Sequence, residues 1–279
     1  MDQSPLLGEE EHRQYQMLIG MGQWFNTIGC PDICFAVSSL SRFSACPREL
    51  HLELALRLFG YLKRNMDFRI GIDSSDIDFT NFLVHQELRP DFLKEYTYAK
   101  EDLDPGFPEP YGKPLQTMVL CDADHAHDMK TRRSITGILA YVGLTPVLWT
   151  SKRQGAIASS TYAAEFMALR TATEEAQTLR YMLRCFGIPI PNDGSMPTRI
   201  FGDNLGVIQN ATDADADLKK KHVAISFHVV REAIAAGTIA PFWLMGEFNM
   251  SDIMTKQIPG PAFNSHIRHL FWQPKHRRK

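Results

Sequence analysis

The sequence predicts an α/β fold, a mixed five-stranded sheet flanked by helices and preceded by a small α-helical region. Three observations carry this expectation. Apolar residues recur at helical spacing through residues 10–64. From residue 115, short β-rich runs alternate with helical patterns in the order β-β-β-α-β-α-α-β-α. Between the two, residues 73–114 lose any sustained period and hold five prolines and two glycines.

The front region reads as three helices. Leu18, Met21, Trp24 and Phe25 share helical spacing, as do Ile33, Val37, Leu40 and Phe43, then Leu52, Leu56, Phe59 and Leu62. Pro31 sits where a helix can begin, and Pro47 breaks the pattern before a third helix from about Arg48. In the back region MVLCDAD (118–124) is an apolar run ending in acids, as a buried strand would be. SITGILAYVGL (134–144) and PVLWTSKR (146–153) are β-rich around a turn at 143–146. A long helix follows over about 161–186, with Ser160 or Thr161 as N-cap and Gly187 closing it. Its stripe is Phe166, Leu169, Ala172, Ala176, Leu179 and Leu183. TRIFGDN (198–204) is a strand ending in an acid, LGVIQNA (205–211) a short helix and 222–237 a helix closed by Gly237. TIAPFWLM (238–245) is a strand at a sheet edge because of Pro241, and 250–256 opens a final short helix. The expected division is therefore 1–72 helical, 73–114 a linker or insertion, 115–260 the α/β domain and 261–279 a tail.

Composition narrows the class. Of the 279 residues 44% are hydrophobic and 22% charged, which suits a chain with a real core rather than a disordered one. No apolar run approaches the roughly 18 residues of a membrane span, and no membrane partner is expected. The first fifteen residues are acidic and carry no apolar h-region, so no secretory signal is expected there. Five cysteines are an odd and sparse set, which points to a reducing, intracellular setting. Residues 1–112 hold 10 Lys+Arg against 18 Asp+Glu, while 113–279 hold 20 against 14. A basic back half suits a polyanionic partner, and chance clustering on solvated faces is the plainer alternative.

Four acids stand where chemistry sits in such a fold. Asp122 ends the first strand, Glu165 lies in the first turn of the long helix, Asp203 ends the fourth strand and Asp252 begins the last helix. Ligands of open α/β sheets gather at strand ends. Each acid also has a structural alternative: helix-dipole partner for Glu165 and Asp252, helix cap for Asp203, strand-end turn for Asp122. Converging, they would repel one another unless divalent cations lay between them. Oxygen ligands select Mg²⁺ or Mn²⁺ over zinc. Two such ions about 3.5–4 Å apart serve in-line phosphoryl displacement.

The motifs CDADHAH, RRSITGILAYV, VLWTSKRQGAIASSTYAAEFMALRTATEEAQTLRYMLRCFG, IFGDN, KHVAISFHVVREAIAAG and SDIMTK resemble, in this order, the ribonuclease H domain of Ty1/copia-type retrotransposon polyproteins. The resemblance runs from about 117 to 258. The stretch YQMLIGMGQWFNTIGCPDICFAVSSLSRFSACPRELHLELALRLFGYLKR resembles the thumb and connection region that follows the polymerase palm in the same polyproteins. It implies a ribonuclease H-like sheet with the first and fourth strands adjacent. It implies that Asp122, Glu165, Asp203 and Asp252 are the catalytic residues and hold two Mg²⁺ (or Mn²⁺), with Asp122 shared between the ions; Asp124, two residues on, is allowed by strand alternation on the same face as an outer neighbour. The implied reaction is hydrolysis of the RNA strand of an RNA–DNA hybrid, and the implied partner is the polymerase part of the polyprotein.

The chain also departs from that pattern. It contains no Asp-Asp pair, so the aromatic-x-Asp-Asp motif of the polymerase is missing and no DNA synthesis is expected. Cys30 stands where relatives show arginine, and Leu50 where a small or acidic residue is common. No histidine lies between His228 and Asp252, where many ribonucleases H carry one that aids product release, and Glu247 is the substitute on offer. These departures keep a second reading open, an inactive nucleic-acid-binding remnant.

Other chemistries fit poorly. His125, His127, His222 and His228 lack a cysteine pair at zinc spacing, and Cys30, Cys34 and Cys46 read as small core residues. Ser159, Ser160 and Thr161 lie in no Gly-x-Ser-x-Gly, and no P-loop is present. Arg132, Arg133, Lys152 and Arg153 flank the acids in sequence and are the candidate phosphate contacts, with Lys219, Lys220 and Lys221 behind them.

Overall fold

The apolar run after residue 116 forms β1 (Thr117–Asp124), the centre of a five-stranded sheet. β2 (Ile135–Val142) and β3 (Thr145–Arg153) follow as antiparallel neighbours on one side. Gly143 turns between them at φ 55°, a left-handed value that a glycine adopts without strain. β4 (Thr198–Gly202) and β5 (Ile239–Trp243) add in parallel on the other side, giving the order β3-β2-β1-β4-β5. Adjacency of the first and fourth strands is as expected, and Pro241 does sit in an edge strand. We describe residues 2–79, 95–213, 216 and 224–271 of a computed structural model. Lys219, Lys220, Lys221 and His222 lie outside the described residues.

One face of the sheet carries α4 (Thr161–Cys185), α5 (Leu205–Thr212) and α6 (Ala224–Ala235). Val119, Cys121 and Ala123 of β1, Ile138 and Ala140 of β2 and Ile200 of β4 point into this core. All six residues of the expected α4 stripe are buried in it. Ser160 caps α4, its Oγ accepting from the Ala163 amide at 3.2 Å. The opposite face holds Leu120, Leu139, Tyr141 and Phe201, with Phe79 stacked on Phe201 at 5.9 Å. The 3-10 helix Met250–Met254 packs on this face too, where a short α-helix was expected.

The chain divides into two compact units, Ile72–Thr255 and a unit made from Met1–Gly71 with Lys256–Lys279. The second unit holds α1 (Glu9–Ile28), α2 (Cys34–Ser41), α3 (Glu49–Arg64) and α7 (Gly260–Leu270). Its core is Tyr15, Leu18, Ile19, Ile33, Val37, Leu40, Ala55 and Leu58. Of the residues read from periodicity, Met21, Trp24, Phe43 and Leu56 are exposed instead, since a helix of this unit buries one narrow face. Cys46 is exposed as well, not a core residue.

Two expectations differ at the unit boundaries. Residues 261–270 are helix, not tail: Pro261 lies in the first turn, Ile267 and Leu270 are buried, and Phe263 meets Tyr61 edge-on at 6.2 Å. The 73–114 segment is not a bare linker. It buries Ile77, Phe79 and Tyr96, and Glu101 is gripped by Arg180 and Arg184 of α4 at 2.7–2.9 Å.

Candidate active site

β1 and β4 run parallel with Leu120 beside Phe201. Asp122 and Asp203 each lie two residues further on, so the register brings them side by side at the carboxyl ends of adjacent strands. The 3-10 helix Met250–Met254 brings Asp252 to the same place. One carboxylate oxygen from each of Asp122, Asp203 and Asp252 lies within 4.8 Å of the others. Asp122 is 2% exposed, and the other two are half-buried.

Each carboxylate is held by its own local chemistry. The turn after β4 is fixed by Trp243 Nε1 donating to the Asp203 carbonyl at 2.8 Å and by the Leu244 amide donating to Gly202. Asn204, not Asp203, caps α5, its Oδ1 accepting from the Val207 amide at 3.2 Å. The capping alternative for Asp203 therefore falls, because the neighbouring residue does that work. Asp122 accepts a hydrogen bond at Oδ2 from the Thr255 hydroxyl.

The 3-10 helix is seated by three residues that the sequence reading missed. Asn249, fully buried, donates through Nδ2 to the Cys121 carbonyl at 2.9 Å and accepts at Oδ1 from Ser251 Oγ at 2.6 Å. Thr255 anchors the other end on Asp122. Gly137 pairs with Asp122 across the β1–β2 ladder, and a Cβ there would come within 2.6 Å of Thr255 Cγ2 and 2.8 Å of the Ser251 carbonyl oxygen. A glycine inside an apolar strand is the legible signal for such a close approach. Asn249 ahead of Ser251 has the form of a cap, and Thr255 gave no signal of its own.

Glu165 stands outside the three-carboxylate group. It is the fifth residue of α4, beyond the first turn, and is 8% exposed. Burial pushes the Cys121 thiol well above its ordinary value, and the charges of Glu165, Asp122 and Asp203 push it further. Asp124 pairs instead with His127 at 2.6 Å. His125 bonds the Ala158 carbonyl and His228 the Tyr96 hydroxyl, so these histidines have separate partners rather than a common centre. Glu247 is exposed on the 3-10 turn Gly246–Phe248 and is not in the group.

The four basic candidates lie at the same end of the sheet as Asp122, in the β1–β2 loop and at the end of β3. Arg132 and Lys152 are exposed, and Arg133 is half-buried. Arg153 pairs with Asp128 at 2.7 Å. Burial raises the Asp128 carboxyl, but that bond and the amides of Thr131 and Lys130 outweigh it and hold the group well below the usual range.

The sheet is a mixed α/β sheet with aspartates at the carboxyl ends of two adjacent parallel strands, the arrangement that the resemblance to ribonuclease H domains implies. In sequence the chain is similar to retrovirus-related Pol polyproteins of transposons. Transposon RE1 of Arabidopsis thaliana is 25% identical over 252 residues, 90% of this chain. RE2 of the same plant is 24% identical over 92% of the chain, and TNT 1-94 of Nicotiana tabacum 23% over 89%. The chain spans only 14–16% of those relatives' own length. No family model matches. Among solved structures it resembles the RNase H1 of the archaeon Halobacterium salinarum NRC-1, at 17% identity, 54% of this chain, 98% of that one and a TM-score of 0.37. An RNase H1 isolated from compost matches at 14% identity over 54% and 96%, also at 0.37.

Three hard oxygen donors at this spacing suit a divalent cation of the Mg²⁺, Mn²⁺ or Ca²⁺ type rather than zinc.

Proposed function

We propose that this chain is a metal-dependent ribonuclease H that cleaves the RNA strand of RNA–DNA hybrids. The observation that carries the reading is the meeting of Asp122, Asp203 and Asp252 from three distant stretches of sequence. These residues would hold Mg²⁺ or Mn²⁺, two ions in the full site, with Glu165 completing it. Ions there supply activation of a water and charge neutralisation at the leaving 3′-oxygen. The chain's own contribution is positional. Asp122 and Asp203 are fixed by the β1–β4 register, and Asp252 by Asn249 and Thr255. Arg132, Arg133 and Lys152 present cationic groups to backbone phosphates, while a hybrid is recognised by shape and 2′-hydroxyls rather than by sequence. The polymerase part of a longer polyprotein is the proposed partner in the same chain, and an intracellular setting is part of the proposal.

The test is cleavage of a labelled hybrid by the full chain in Mg²⁺, Mn²⁺ or EDTA. Cleavage should require one of the ions and stop with EDTA, and activity undiminished by EDTA refutes the reading. The missing polymerase motif and the substitutions at Cys30 and Leu50 favour a second reading, an inactive nucleic-acid-binding remnant. That reading is selected if hybrid binds with no cleavage in either ion.

A further inference from the structure

Thr255 is fully buried at the end of the 3-10 helix, and its Oγ1 donates to Asp122 Oδ2. The same Oγ1 lies 3.1 Å from the Asp252 carbonyl oxygen. One hydroxyl proton thus serves two acceptors, one on the side chain of Asp122 and one on the backbone of Asp252. The Thr255 methyl, Cγ2, is wedged against Gly137, where any Cβ would stand at 2.6 Å. A β-branched side chain is stiff at χ1, so the wedge fixes the direction in which the hydroxyl points. Asn249 closes the other end of the segment on the Cys121 carbonyl, one residue before Asp122.

We propose that Thr255 is a positioning residue that sets which divalent cations the acid site accepts, favouring Mg²⁺ and Mn²⁺ over Ca²⁺. The proposal rests on the cation-dependent reading above. A carboxylate whose Oδ2 is held by a buried hydroxyl is presented through one oxygen rather than as a chelating pair. Mg²⁺ is small and demands near-octahedral geometry, which single-oxygen donors satisfy. Ca²⁺ takes 6–8 oxygens at longer distance and readily accepts both oxygens of one carboxylate. Without the hydroxyl the Asp122 carboxylate loses the bond that holds its Oδ2, which helps the larger ion and costs the smaller one its preset donor. Partners that orient ligands in this way typically contribute about 10–100-fold to metal affinity.

The experiment uses the full chain freed of metal. Mn²⁺ binding is read from the spectrum of free Mn²⁺, and Ca²⁺ binding by competition, for wild type, Thr255→Val and Thr255→Ser. Melting of each metal-free variant checks its fold. Wild type should hold Mn²⁺ more tightly than Ca²⁺. Thr255→Val, of equal shape but without the hydroxyl, should lose about 10-fold or more of its Mn²⁺ affinity while keeping or gaining Ca²⁺ affinity. Thr255→Ser keeps the hydroxyl and should keep most of the preference, and Thr255→Ala, which also lacks the hydroxyl, carries the test if the valine variant does not fold. An unchanged Mn²⁺-to-Ca²⁺ ratio in Thr255→Val, whether both affinities hold or fall equally, overturns the proposal. A wild type that takes up no Mn²⁺ overturns the cation-dependent reading itself, and this one with it.

Discussion

Replacing Gly137 by alanine probes the site without touching an acid. The added Cβ would sit 2.6 Å from Thr255 Cγ2, 2.8 Å from Met254 Cβ and 2.8 Å from the Ser251 carbonyl oxygen. Carbon atoms pack best at about 3.5–4.0 Å, so the 3-10 helix carrying Asp252 must retreat by about 1 Å. No flexible side-chain end is available to yield, because one neighbour is backbone and the others are Cβ and Cγ2 atoms of a short, anchored segment. Overpacking of this kind costs about 1–3 kcal/mol. Against it, losing a glycine from the unfolded chain stabilises by about 0.4–1 kcal/mol. The net is a loss of about 1–2 kcal/mol, which for a unit of this size lowers Tm by roughly 2–8 °C.

The functional effect should exceed the stability effect. A shift of about 1 Å in one member of a reacting constellation can cost on the order of 100-fold in rate. The assays are a melting curve, Mn²⁺ affinity and hybrid cleavage on the full chain. The expected signature is a modest drop in Tm with a large loss of Mn²⁺ binding and of cleavage. If Gly137→Ala melts and binds Mn²⁺ as the wild type does, the helix is not seated on Gly137 and the account of how Asp252 reaches the site is wrong.

The remaining predictions use the same chain. Asp203→Asn should abolish cleavage and weaken Mn²⁺ binding while leaving the metal-free Tm equal or higher, since one repelling charge is gone. Asn204→Ala, which removes the actual cap of α5, should instead cost about 1 kcal/mol of stability, and the two melting curves side by side decide between ligand and cap. Glu101→Gln strips the charge partner from buried Arg180 and Arg184 and should cost about 3–5 kcal/mol at neutral pH. Burial opposes the Glu101 charge, but bonds from both arginines hold its carboxyl at about 2 against an ordinary 4.5. That contribution, on the order of 3 kcal/mol, is complete above pH 4.5 and is lost as pH falls toward 2. The Tm gap between wild type and Glu101→Gln should therefore narrow on acidification, and a constant gap between pH 7 and 3 refutes the assignment. Ending the chain at residue 258 removes the buried Ile267, Leu270 and Phe271, roughly 4–8 kcal/mol of apolar burial. Limited proteolysis should then cut residues 1–71, and their continued protection would show that α7 is not part of that unit.

What the sequence makes legible follows from the range of the interactions involved. The sheet strands are visible because burial on both faces demands apolar runs, as in Thr117–Asp124 and Ile135–Val142. The α4 stripe is visible because 3.6-residue spacing is a local property. Phe263, Ile267 and Leu270 also carry that spacing, and Pro261 marks its start, but the basic residues that follow suggested a tail. The 73–114 segment, expected as a linker or insertion, was legible only in part. Its prolines and broken period describe an irregular path correctly, yet say nothing of burial. Arg180 lies in α4 with no exposed surface because Glu101, 79 residues away in the sequence, pairs with it. No periodicity reports a pairing of that kind.

The site shows the same division within a few residues. The acids are legible one by one, because an aspartate after an apolar strand is conspicuous. What gathers them is not, since Asn249 reaches Cys121 across 128 residues and Thr255 reaches Asp122 across 133. Like charges do not draw together by themselves, so the energy that assembles the group must come from uncharged contacts around it. Gly137, Asn249 and Thr255 supply those contacts, and none of them bears a charge. Losing any one of the three should loosen the cluster even with every carboxylate in place. For this chain, whether the acids are retained and whether the site is intact are therefore separate questions. Only the second, read through cation affinity together with hybrid cleavage, distinguishes a working nuclease from a remnant that still carries its aspartates.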